Sequence, residues 1–299
     1  MISLWRTKGR CQRAVLIIIG VVAVALLLTQ LLRPREPVYQ GKRLSQWMDD
    51  FDGDEETLDR AMASVKAIGT NAVPFLVAAI RAKEPVWESK LVWLKWKLMG
   101  ITGHWEARPG NTPTFKHQMH ATMAFQALGS SAEAAIPELT GMLQTEDTAG
   151  AAALALAGIG SNAVPSLAAA LTSTNARIRV VTAIALGGVG SGATTVAPLL
   201  IHALKDDSYR VRGMAAQSLG ELRQFPELVM PALLEALQDT NSLVRLSAAS
   251  GLGRLGAPAK PAIPALLKAQ GDPEEPVSKA ATYALKQIDS EAAAKAGVK

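Results

Sequence analysis

One cysteine, Cys11, stands in 299 residues. That excludes an intramolecular disulfide framework and leaves the redox compartment open. A cysteine beside a membrane can be acylated, but Cys11 reads first as an incidental residue. Aromatic residues make up 5% of the chain and charged residues 19%, a scarcity that suits an alanine- and leucine-rich helical array. Basic charge is missing from the body. Residues 1–43 hold eight Lys/Arg against one acid, Glu36, while the remaining residues hold 23 Lys/Arg against 25 acids. The net charge of +5 therefore belongs to the head, and the body lacks the electrostatic footprint of a phosphate binder. Serine- or cysteine-centred nucleophile motifs are absent. The acidic run Asp49–Glu56 lacks EF-hand spacing and reads as a solvated turn.

The head contains a long apolar run. Ala14–Leu32 has no charge, and only Gly20, Thr29 and Gln30 interrupt it. At ~1.5 Å per residue it reaches roughly 28 Å, about the hydrocarbon thickness of a bilayer. The expectation is a basic tail over 1–13, a single transmembrane helix over 14–32 and an extended linker over 33–43 carrying Pro34 and Pro37. A cleaved signal peptide is the rival, with Ala23-Val24-Ala25 as its cleavage site, but its apolar region runs only about 7–15 residues. Arg6, Lys8, Arg10 and Arg13 precede the span and Arg33, Arg35, Lys42 and Arg43 follow it. The early cluster favours a cytoplasmic N-terminus, which puts the body on the non-cytoplasmic side.

The body repeats itself every 33 residues. Pro165, Pro198, Pro231 and Pro264 keep that step, as do Leu171, Leu204 and Leu237, and Ile178, Val211, Val244 and Val277. A fixed period of this size implies a stacked solenoid and not a globule around one centre. Within Asn175–Asp207, Ile178, Val181, Ile184, Ala185 and Val189 make one helix face. Asn175 suits an N-cap, Gly187, Gly188 and Gly190 are expected to end the helix, and Pro198 to stand near the start of a second helix. The fold class is all-α: an α-solenoid over 44–299 behind one transmembrane helix.

The run Asp206, Val211-Arg212, Leu219-Gly220, Pro231-Ala232-Leu233-Leu234, Leu237 and Asp239 resembles a HEAT repeat of the bacterial phycobilin-lyase-like type. The resemblance extends from about Thr57 to Ala292. It implies an armadillo-type stack of some seven helix pairs, and it implies that Arg179, Arg212 and Arg245 pair with Asp206, Asp239 and Asp272 between neighbouring units. Such pairs fix register more than they add stability. The resemblance offers no chromophore-specific residue. The HEAT-built iron hydroxylases carry His-Glu pairs, and this chain has no His-Glu dipeptide.

A short lead-in helix beginning in Gly41–Trp47 would cover the exposed end of the stack with Trp47, Met48 and Phe51. Pro74 is followed by its next counterpart, Pro137, only after an insertion over 83–115 that holds Trp87, Trp93, Trp96 and Trp105. Three readings stand for this insertion: packing on the first units, partner binding, or contact with the membrane surface. The third unit has no charge between Asp147 and Arg177. It is either buried in mid-stack or exposes an apolar docking patch.

Gly251-Leu252-Gly253-Arg254-Leu255-Gly256 matches a dinucleotide fingerprint, yet that motif requires a strand before it and a helix opening on it. Here the glycines are read as ending a helix. His117 and His120 share a helix face with His104 and Glu106 nearby, fewer convergent ligands than zinc requires. No catalytic residue, metal or cofactor is assigned, and neither nucleic acid nor a small-molecule substrate is expected. The leading function is a membrane-tethered, non-catalytic scaffold for an unknown protein or peptide. The partner would bind on second-helix residues including His202, Glu235 and Gln238, or on the tryptophan insertion. The alternative is an enzyme or enzyme accessory related to the HEAT-type lyases and hydroxylases.

Overall fold

A computed structural model of the chain describes residues 36–83, 90, 112–189, 193–223 and 225–290. The basic tail, the expected span 14–32 and Trp87, Trp93, Trp96 and Trp105 lie outside the described residues.

The described chain opens with a two-stranded antiparallel hairpin, β1 (Val38–Tyr39) and β2 (Lys42–Arg43). Gln40 and Gly41 turn it with φ of 49° and 78°, the positive pair that a two-residue hairpin loop requires. Residues 38–43 are therefore not the extended linker expected of them. The lead-in helix α1 (Leu44–Asp49) follows. Trp47, Met48 and Phe51 are buried, and Trp47 Nε1 donates to the Tyr39 carbonyl at 3.1 Å. The hairpin thus anchors the apolar plug that closes the first end of the stack.

Helix pairs then succeed one another. The first helices are α2 (Glu55–Ile68), α4 (Pro113–Leu128), α6 (Glu146–Ile159), α8 (Ala176–Gly187), α10 (Tyr209–Glu221) and α12 (Ser242–Leu255). Their partners are α3 (Val73–Arg81), α5 (Ile136–Met142), α7 (Val164–Ala170), α9 (Ala193–Ala203), α11 (Pro226–Ala236) and α13 (Ile263–Ala269). A final first helix, α14 (Glu275–Ile288), ends the described array. Among the described residues this makes six pairs and a half, where the sequence suggests about seven.

The core has the period of the sequence. Leu167, Leu200, Leu233 and Leu266 are all fully buried on the second helices. Ile178, Val211, Val244 and Val277, and then Leu186, Leu219, Leu252 and Leu285, are buried in two further columns on the first helices. Truncating one of these leucines to alanine costs about 2–5 kcal/mol. Among the described residues one stretch, Glu55–Arg81, has the length and hydropathy to cross a membrane. It comprises α2, a short 3-10 turn and α3, with Gly69 at φ 64° between the helices. Ala61, Val65, Leu76 and Ile80 on it are fully buried, so packing in the stack accounts for its apolarity.

Two local expectations fail. Pro74, Pro137, Pro165 and Pro264 open their helices, but Pro198 and Pro231 lie inside α9 and α11, which begin about a turn earlier. Gly251 and Gly253 lie within α12, and only Gly256, at φ 67°, ends it. Gly188 caps α8 as expected but with an ordinary right-handed backbone, so of Gly188 and Gly256 it is Gly256 that uses left-handed freedom; Gly190 lies outside the described residues.

Candidate docking surface

Two ladders hold α8 to α14 in register. In the first, Arg179 Nε and Nη2 donate to Asp206 at 2.7 and 2.8 Å. Arg212 does the same to Asp239 at 2.7 and 2.9 Å, and Arg245 to Asp272 at 2.8 and 2.9 Å. Each Nη1 also reaches a carbonyl in the turn before its own helix: Ser173 at 2.9 Å, Asp206 at 3.0 Å and Asp239 at 3.0 Å. Each carboxylate also accepts the amide two residues on, from Ser208, Asn241 and Glu274. One bidentate pair therefore ties two units and the turn between them. Asp239 and Asp272 are held below the usual carboxylate range chiefly by the hydrogen bonds from Arg212 and Arg245, against the opposing effect of burial. At Asp206 burial is the largest influence and pushes upward, but the Arg179 hydrogen bond and the Ser208 amide outweigh it.

The second ladder consists of small residues. A Cβ placed on Gly187 would sit 2.7 Å from Ser218 Cβ, one on Gly220 2.4 Å from Gly251 Cα, and one on Gly253 2.9 Å from Ala284 Cα. The three glycines are 33 apart, and so are the three residues they meet. Neighbouring first helices here touch backbone to backbone, which only glycine permits. The sequence points to Gly187 and Gly253 as helix ends and to Gly220 as part of the repeated run, not to this role. The signal was available, because glycine itself recurs at step 33 inside the helical windows.

A trough opens where these ladders stop. It has a volume of about 520 Å³ and lies across the first turns of α4, α6 and α8, reaching the start of α10. Gly150 and Ala151 form its floor, and Phe115, Leu154, Val180 and Val181 its apolar walls. Phe115 is 46% exposed. The charge-free third unit is buried on one face and half-exposed on the other. Ala152, Ala153, Ala155 and Leu156 are buried, while Gly150, Ala151 and Leu154 on the other face of α6 are half-exposed in the trough. Its rim is charged. Glu146 accepts from Asn175 at 2.6 Å and from Arg177 at 3.1 Å, whereas Asp147 and Arg210 have no opposite-charge partner among the described residues.

The second-helix candidates are on the surface as well. His202, Glu235 and Gln238 are exposed. Glu235 and Gln238 line a groove of about 420 Å³ of mixed character, with Lys205 and Asp239 and with Ile201 and Leu204, and His202 lies outside its lining. On the first-helix side, His117 is exposed and His120 buried. His120 Nε2 is 3.1 Å from Asp52 Oδ1, its Nδ1 has no partner, and Phe51 meets the ring edge-on at 5.8 Å. Lys116 also contacts Asp52. Its hydrogen bond is the main reason the Asp52 carboxyl lies below its usual range, with burial opposing and His120 adding to it. This cluster fastens the lead-in segment to α4. Among the described residues no three His, Cys, Asp or Glu side chains converge as a metal site requires.

Residues 164–239 and 230–296 match the family model of HEAT repeats. No curated protein matches the chain. Among solved structures, the chain is similar to the CpcE–CpcF complex of phycocyanin lyase from Nostoc sp. PCC7120, with 25% identity over 50% of this chain and 98% of that one, at a TM-score of 0.44. It is similar to human deoxyhypusine hydroxylase at 20% identity, over 83% and 95% of the two chains, with a TM-score of 0.38. A computationally designed armadillo repeat protein for modular peptide recognition aligns at 16% identity, over 82% and 100%, with a TM-score of 0.40. The described helices form a HEAT/armadillo-like α-solenoid.

Proposed function

We propose that this chain is a membrane-tethered, non-catalytic scaffold whose partner, a protein or peptide, seats on the first-helix face. The observation that carries this reading is the apolar trough across α4, α6 and α8. One unit of 33 residues beyond Val180 and Val181 stand Gly213 and Met214, and one unit further Leu246 and Ser247. The array therefore does not need paired valines at this position. Valine is also a mediocre helix former, so propensity does not account for them. A concave apolar surface rimmed by charge suits a binding site. Ala14–Leu32 would supply the tether and raise the local concentration of partners at the membrane. The basic cluster ahead of the span supports a solenoid on the non-cytoplasmic side.

Photo-crosslinking in native membranes tests this. A photoreactive residue at position 180 should capture one discrete protein, and the same residue at position 246, also half-exposed, should not. Equal capture from both positions removes the trough from the proposal. Extraction of the chain by alkaline carbonate removes the tether.

A further inference from the structure

Resting on that reading, we infer that the trough binds an extended peptide segment of a partner protein, laid across the helices, with an apolar centre, a basic residue at one end and an acidic residue at the other. The geometry sets the length. Asp147 lies in the first turn of α6 and Arg210 in the first turn of α10, with α8 between them. Two helix-to-helix steps of about 10 Å give roughly 20 Å. An extended strand covers that distance in about six residues at ~3.3 Å each.

The charges set the polarity. Glu146 and Arg177 neutralise each other across the rim. Asp147 and Arg210 are exposed, and neither has an ion-pair partner among the described residues; Arg210 meets the Tyr209 side chain, its hydroxyl at 3.4 Å and its ring centroid at 5.9 Å. A cation over Asp147 and a carboxylate over Arg210 complete the rim. The floor sets the centre. A Cβ on Gly150 would meet nothing within 4 Å, so the space above α6 is free for bulky apolar side chains from the partner.

The test is a titration of the full chain, reconstituted with lipid nanodiscs, with the fluorescent peptide KSLVLSE and its reversed-charge form ESLVLSK. KSLVLSE should bind saturably and more tightly than ESLVLSK. Gly150→Trp, which fills the trough from the open side, should abolish binding. Val181→Ser, copying Ser247, should weaken it about tenfold through lost apolar burial. Arg210→Glu should weaken KSLVLSE by about fivefold, the scale of one exposed ion pair, and improve KSLVLSK. Circular dichroism checks that each variant stays folded.

Equal affinity for both peptides, or saturable binding untouched by Gly150→Trp, overturns the proposal. So does a reversible dimer abolished by Gly150→Trp, which would assign the trough to a second copy. Binding that appears only after deletion of 84–111 would assign it to the chain itself. A chain that elutes apart from the discs defeats the tether and leaves the peptide result readable.

Discussion

From α8 to α14 and from α2 to α6, one repeat architecture is joined in two ways. The later helices use the same joints at every step: a glycine against a small residue, and a bidentate Arg–Asp pair. The pair's side chains are 10–16% exposed. The earlier helices use neither joint regularly. Gly158 approaches the backbone of Phe125 and Gln126 closely. The polar ties are otherwise mostly at the surface, such as Arg81 with Glu138, whose side chains are 63% and 47% exposed. Pro137 and Pro165 are 28 apart and not 33. An exposed pair contributes about 0–1 kcal/mol, so the two halves differ in what fixes their register. A joint that repeats leaves little freedom between units, and the trough occupies the boundary where the repeating joint begins. The lesson is that regularity specifies geometry, while the site sits where regularity gives way.

The sharpest way to break this comparison is Gly220→Leu. Its Cβ alone would fall 2.4 Å from Gly251 Cα, a collision of two backbones that no rotamer relieves. We expect a loss of about 4 kcal/mol or more, beyond ordinary overpacking. In urea melts followed by hydrogen exchange, protection should vanish in α10 and α12 before α2 and α4. Retained protection in α10 would mean that the helices can slide apart at low cost.

Next comes Asp239→Ala. It strands Arg212 in a largely buried site and should cost about 3 kcal/mol, whereas replacing both partners with apolar residues of similar volume should be nearly neutral. Asp147→Ala, on the exposed rim, should change stability by less than about 0.5 kcal/mol. Chemical denaturation of the four proteins checks this. A double variant as unstable as Asp239→Ala would show that the pair supplies stability and not register.

Acid should separate the halves in the same way. Asp206, Asp239 and Asp272 are each held below their ordinary value of 3.8. A depressed carboxyl contributes stability that is fully present above that value and lost as pH falls through its folded pKa. Near the first end the lowered carboxyls Asp52, Asp54 and Glu146 are all exposed and screened, so they contribute little. Below pH 3.8 the C-terminal helices should therefore lose exchange protection faster, and Asp206→Asn with Asp239→Asn and Asp272→Asn should flatten that slope. An unchanged slope in the triple variant counts against the assignment.

How much of this was legible follows from what repeats. The helix pairs, the buried columns at Leu186, Leu219, Leu252 and Leu285, and the period of Arg179 and Asp206 are all written at a step of 33 residues. Three features were hidden. The hairpin at Val38–Arg43 is too short to show an alternating pattern, and its Gln40-Gly41 turn is a weak signal beside Pro34 and Pro37. The internal positions of Pro198 and Pro231 depend on how the preceding turn winds, which no spacing encodes. The trough joins Phe115, Leu154 and Val180, residues from three units that become neighbours only by stacking. The sequence points to second-helix residues including His202, Glu235 and Gln238, or to the tryptophan insertion, as binding candidates; the trough lies on the first-helix face, where the small residues of the third unit leave space.

A small effect of opposite sign tests that last point directly. Gly150 lies in mid-helix on α6, and beyond its own helix backbone and chain neighbours no atom of the described residues stands within 4 Å of where a Cβ would be. Gly150→Ala should therefore stabilise the chain by about 0.5–1 kcal/mol, the helix propensity difference, because nothing collides and the unfolded chain loses freedom. Gly187→Ala, Gly220→Ala and Gly253→Ala should all destabilise, since their Cβ positions are already occupied. Thermal melts of the four single variants give the sign of each. If Gly150→Ala destabilises as the others do, the space above α6 is not open, and both the trough and the contrast between the two halves must be redrawn.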